Sequence, residues 1–132
     1  MNEHINPPEV STPAGYSHVV VAQQPRKVIF LSGQVPLNGA GELVGKGDLR
    51  AQARQVFQNL EAGLTAAGAT FADVTKISTF VVNYKPADRD IIRELRSEFL
   101  AAEALPASTL LGVQALANPD FLIEIEAYAA VG

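Results

Sequence analysis

The sequence predicts an α+β domain, a β-sheet with two helices packed on one of its faces. Three observations predict it. Two stretches, opening near Asp48 and Asp88, carry apolar side chains at helical spacing along one side only. Between and around them lie apolar, β-branched or alternating runs with the length of strands. Their order is β-β-(β)-α-β-α-β-β, so two one-sided helices must cover a sheet that has two faces. The second face needs a partner, which is the structural reason to expect self-association.

Each element has a local cause. Residues 1–15 read as an arm, loosely ordered unless docked. Residues 17–23, SHVVVAQ, form a strand. QPRK at 24–27 reads as a turn and VIFLSGQ at 28–34 as a second strand, so 17–34 is expected to be a hairpin. Pro36, Asn38, Gly39 and Gly41 break the chain, and 42–45 is a short strand or part of that loop. Asp48 caps a helix whose stripe is Ala53, Val56, Phe57, Leu60, Leu64 and Ala67, and Gly68 ends it. Residues 74–83 form a strand. The second helix turns Ile92, Leu95, Phe99 and Ala102 inward and is stopped by Pro106. Two more strands, 107–115 and 121–129, flank the turn ANPD.

Composition bounds the function. The chain has 132 residues, 48% hydrophobic and 18% charged, which fits one globular domain over residues 1–132. There is no cysteine, so disulfides, thiolate metal sites and a cysteine nucleophile are excluded. His4 and His18 are too scattered for a zinc site, so no metal is expected. The formal net charge is −4 and no run of Lys or Arg occurs, so no nucleic-acid partner is expected. No apolar run reaches a membrane span, and MNEHINPPEVSTP is unlike a signal peptide. The expected location is the cytoplasm.

Several positions can carry chemistry. From Ile123 the last strand alternates strictly, with Glu124, Glu126 and Tyr128 on one side. That side is either a solvated face or a carboxylate set at a cleft as a general acid or base. Ser32-Gly33 is either a plain strand end or a place where a bound oxygen approaches the backbone. Tyr16 is an amphipathic anchor or lines a site; His18 shares its face without a neighbouring serine or carboxylate to form a triad. NGAGELVGKG lacks the spacing of a phosphate loop. ALPASTLLGV, residues 104–113, sets two small hydroxyls, Ser108 and Thr109, into a strand after a proline.

GYSHVV, LSGQVP, AQARQVFQNLEAGLTAAGA, DVTKISTFVVN, LPAST and IEIEAYA together resemble the RidA (YjgF) family of reactive-intermediate deaminases. The resemblance runs from about residue 13 to 130. It implies a chorismate-mutase-like fold, one mixed sheet with two helices on one face, and a homotrimer with clefts between subunits. Members hydrolyse enamines and imines such as 2-iminobutanoate and 2-iminopropanoate to a 2-oxo acid and ammonia, without a cofactor. Carried over by residue, it implies that Tyr16, Ser32 and Gly33 bind substrate and that Glu124 places or activates the hydrolytic water. Two positions depart from the pattern. The family's second-helix asparagine falls on Ile92. Its carboxylate-binding arginine, in P-A-R-S, falls on Ser108 of P-A-S-T, beside Thr109.

A guanidinium grips a carboxylate through two charge-assisted hydrogen bonds, and losing one partner of such a pair costs about 2–5 kcal/mol. Classical 2-imino acid turnover is therefore expected to be weak or absent unless another cation, Arg26, Lys27, Lys46 or Arg50, fills the role. Two readings stand. One is a deaminase or hydrolase of imine, enamine or carbonyl metabolites with Glu124 activating water. The other is a trimeric module that binds a small metabolite without turning it over. Ribonuclease activity, also attached to the family, is disfavoured by the acidic charge balance.

Overall fold

The structure, a computed structural model, describes residues 2–132. It is organised by the alternating C-terminal strand. Six strands are present in this span: β1 (Asn2–Ile5), β2 (Val19–Ala22), β3 (Lys27–Gln34), β4 (Val74–Val82), β5 (Ala107–Val113) and β6 (Ile123–Val131). The helices are α1 (Leu49–Ala66) and α2 (Pro86–Phe99). The main sheet has the order β3-β6-β4-β5. It is mixed, because β6 runs antiparallel to both β3 and β4, whereas β4 and β5 are parallel. The expected α+β class with two helices is therefore observed.

Alternation sorts the side chains. Ile123, Ile125, Ala127 and Ala129 are buried beneath the helices with Val74, Ile77 and Val81 of β4. The α1 stripe closes on them through Ala53, Val56, Phe57, Leu60 and Leu64, and α2 through Ile92 and Leu95. Each large side chain so buried contributes about 1.5–3 kcal/mol. The rings of Phe57 and Phe99 stack at 5.3 Å and join the two helices. The Asp48 side chain accepts from the Ala51 N–H at 3.1 Å, as a cap should. Gly68 takes φ +75 just past α1. Gln52 is wholly buried and ties three backbone segments: its amide donates to Gly45 O at 3.1 Å and Asp120 O at 2.9 Å, and its oxygen accepts from Leu122 N at 2.8 Å.

Three expectations need correction. Residues 17–34 are not a hairpin. β2 pairs with β1, and β3 pairs with β6. A nine-residue alternating strand offers β3 a longer ladder than the four residues of β2. The β1–β2 ribbon is a separate two-stranded sheet, attached to β5 by a bridge between Ser17 and Ala107, so the strands do not form one sheet. Within the arm, β1 is ordered by that pairing and by the Asn2 amide, which donates to Ala130 O at 3.2 Å; Met1 lies outside the described residues. Finally, α2 ends at Phe99, because the chain turns at Leu100 to bury that side chain. Ala102 is exposed, and Pro106 follows a loop rather than a helix. Residues 42–45 contribute only an isolated bridge, Leu37 to Leu43.

The face of the main sheet away from the helices carries Phe30, Val28, Leu111 and Tyr128, which are 76%, 54%, 48% and 38% exposed. Val28, Phe30 and Tyr128 adjoin on β3 and β6 and make a group of the kind that marks an interaction surface, while Leu111 stands apart on β5, beside Phe80.

Candidate functional site

The strands distribute the site residues between two places. On the uncovered face, β6 presents Glu124 opposite Phe80 of β4. Next to it the β3–β6 register shifts between Leu31 and Gln34, which leaves Ser32 and Gly33 in a bulge. Gly33 lies directly under Glu124. A Cβ on this glycine would stand 2.9 Å from Glu124 Cδ and 3.1 Å from Cγ, and would overlap the carboxylate oxygen. The glycine is thus required by the approach of the carboxylate, not by its backbone angle. Glu124 is half-buried, and among the described residues no donor is bonded to its carboxylate. A carboxylate so placed can accept a proton from water. Ser32 is exposed in the bulge.

The second place is at the β5 edge, on the helix side of the sheet. Ser17 N donates to Pro106 O at 3.0 Å and sets Tyr16 beside β5. Across from it, α2 encloses a cavity of about 220 Å³ whose lining includes Tyr16, Thr79, Arg93, Arg96 and Ser108. Arg96 donates from Nη1 to Ser108 Oγ at 3.2 Å and from Nη2 to Gly15 O at 3.1 Å. Burial, and secondarily the neighbouring Arg93 charge, hold its pKa below the usual guanidinium range. Thr79 is buried, lines the same cavity, and its hydroxyl has no hydrogen-bond partner among the described residues.

Tyr16 and Ser108 therefore meet in one cavity, and Glu124 and Gly33 meet on the opposite face. Thr109 points away from Ser108, and its hydroxyl accepts from Lys76 Nζ at 2.7 Å. His18 faces Tyr16 edge-on at 5.3 Å, and its Nε2 lies 2.6 Å from Ser11 O, which anchors the arm. Ile92, where the family asparagine would fall, is buried at the cavity wall.

The four cations considered from the sequence do not line this cavity. Arg26 bonds Gly132 O, Lys27 bonds Ala67 O and Arg50 pairs with Glu94. The guanidinium at Ser108 comes instead from Arg96. Sequence held one signal for it: Arg89, Arg93 and Arg96 recur at i, i+4 and i+7, which is one helix face. Among the described residues no cluster of three or more metal-binding side chains gathers.

Residues 7–131 match the family model described as Endoribonuclease L-PSP. A protein of unknown function of the conserved Rid family from Yersinia pestis has the same fold, with a TM-score of 0.91 and 44% identity over 98% of each chain. A RutC family protein of Pyrococcus horikoshii is 38% identical over 76% of this chain and 77% of its own. A 2-iminobutanoate/2-iminopropanoate deaminase of Dermatophagoides farinae is 32% identical over 96% of this chain and 94% of its own.

Proposed function

The chain belongs to the RidA (YjgF) family, and from that premise we propose that it hydrolyses small imines or enamines in clefts between the subunits of a homotrimer. The observation that carries the reading is the Glu124 carboxylate, unbonded among the described residues and lying over Gly33 on an uncovered face. The name of the mite relative gives the reaction class. Within one chain the sheet separates Glu124 from Tyr16 and Ser108. Only a second copy, its β5 edge laid against the uncovered face, brings the two halves together. The apolar side chains around Phe30 and Leu111 support such packing.

In the proposed reaction Glu124 takes a proton from water as the water oxygen attacks the carbon of the protonated imine, giving a carbinolamine. That proton then passes to the nitrogen. As the C–N bond breaks, the carbinolamine hydroxyl gives its proton to Glu124, C=O forms and ammonia leaves, and Glu124 releases that last proton to the ammonia. One water is consumed per imine and the balance closes with no redox partner. Gly33 leaves room for the Glu124 carboxylate, and the hydroxyls at the two halves of the cleft are Ser32 beside Gly33 and Ser108 beside Tyr16.

The test generates 2-iminobutanoate in situ and follows its disappearance and the release of ammonia. Turnover slower than that of an arginine-bearing relative is expected, because Ser108 stands on β5 where the guanidinium would be. Glu124→Gln should lower the rate by about 10²–10⁴-fold, the usual worth of a general base. A wild-type rate no faster than buffer for a panel of imines would overturn the proposal. Ser108 favours one other reading, a binding module without turnover. Thermal stabilisation by metabolites in the absence of ammonia release would select it.

A further inference from the structure

Arg96 is a half-buried cation with a hydroxyl and a carbonyl for partners and no carboxylate. Among the described residues the ion pairs are Arg50–Glu94 and Arg54–Glu98, so Glu94 and Glu98 of α2 serve α1 instead. No Asp or Glu lines the cavity, while Arg89 and Arg93 stand exposed along its mouth on the same helix face. A buried charge is tolerated when it is paired, so an arrangement of this kind is completed by an anion. The buried Thr79 hydroxyl, which has no partner among the described residues, supplies a spare donor on the floor of the cavity.

We propose that this cavity is an oxyanion site anchored by Arg96, with Arg93 and Arg89 at its mouth and Ser108 and Thr79 as hydroxyl partners, for the carboxylate or phosphate group of a small metabolite. The guanidinium is delivered by a helix rather than by the β5 strand. Two of its five N–H groups are used by Ser108 and Gly15, and three remain for a ligand. Ile92 and Leu110 give the cavity an apolar side, on which the body of the ligand rests. Because two further guanidiniums flank Arg96, a dianion is held more tightly than a monoanion. The inference deepens the deaminase reading by naming the anchor of the substrate, and relies on it only for the reacting group next to that anchor.

The test measures binding without turnover. Inorganic phosphate, malonate and acetate are titrated into the intact protein by calorimetry at constant ionic strength, with thermal melts in parallel. Phosphate and malonate should both bind and raise Tm, each at least about tenfold more tightly than acetate. Preference of phosphate over malonate identifies a phosphoryl group as the natural ligand; the reverse identifies a carboxylate. Arg96→Gln should weaken both by at least about tenfold, and Arg96→Lys should recover little, since a point charge does not replace a fork. Arg93→Gln keeps the fold safe, because Arg93 is exposed, and should narrow the gap between dianion and acetate. Failure of both dianions to bind the folded wild type, or equal binding by Arg96→Gln, would overturn the proposal. Loss of imine turnover with anion binding intact would count against the deaminase alone.

Discussion

Gly33→Ala separates the position of Glu124 from its chemistry. The backbone at Gly33 lies outside the left-handed region, so alanine is conformationally allowed. The added methyl would sit 2.9 Å from Glu124 Cδ and 3.1 Å from Cγ, inside van der Waals contact, and overlap one carboxylate oxygen. The atoms it meets are the far end of a flexible side chain, so the carboxylate swings aside while the strands stay in place. Overpacking costs about 1–3 kcal/mol, offset by about 0.4–1 kcal/mol from the stiffer unfolded chain. The net loss is at most about 2.5 kcal/mol, or roughly 10 °C in Tm for a domain of this size. Displacing a catalytic group by about 1 Å costs on the order of 10²-fold in rate. The folded variant should therefore lose about 100-fold in kcat/KM for imine hydrolysis, measured with in situ substrate generation beside a thermal melt. In a Glu124→Gln background the same methyl should do almost nothing more, since no base remains to be displaced. A Gly33→Ala enzyme within about threefold of wild type would refute the role given to Glu124.

Two further outcomes are expected. Light scattering after size exclusion should give about three times the 14.0 kDa chain mass, and Phe30→Glu, on the uncovered face, should dissociate the assembly without unfolding its subunits. A wild-type monomer at micromolar concentration would exclude any site shared between copies. Glu98 is held below the usual carboxylate range by its hydrogen bond from Arg54. A depressed carboxylate adds stability above its unfolded pKa and loses it as pH falls through the folded value. Melts of wild type and Glu98→Gln should therefore differ at neutral pH and converge in acid; a constant offset at all pH values would contradict this.

What could be read from the sequence was local. The α1 stripe from Ala53 to Leu64 and the alternation of β6 appear in the structure as expected, because period and burial are properties of adjacent residues. The supposed hairpin failed because strand pairing is a competition. β3 had a longer partner in β6, nearly a hundred residues away, and sequence proximity does not weigh that. The end of α2 failed for a similar reason: Leu100 is worth more in the core than as another helical turn. In the candidate site, Glu124 and Gly33 were named together only by the family resemblance, since alternation and a Ser-Gly pair each allow a plain strand. Arg96 was not, since its meeting with Ser108 depends on how Ile92, Leu95 and Leu100 seat α2 against β5.

That meeting changes what Ser108 means. Considered alone, serine at this position is a deletion of a substrate anchor. Beside Arg96 it is a small acceptor that leaves room for a guanidinium arriving from the helix. An arginine on β5 would face Arg96 and Arg93 in a cavity without a carboxylate, and three cations there repel. An arginine on the strand would add a further charge to the guanidiniums that the helix already sets at this cavity, whereas the serine hydroxyl accepts a hydrogen bond from Arg96. Replacing Ser108 alone with arginine is therefore not a plain return to the family pattern, because a cation already stands in the cavity. The charge beside β5 is retained, but the direction from which it reaches a ligand has turned from the strand edge to the helix face. Such a turn alters which substrates fit without requiring any change at Glu124 or Gly33.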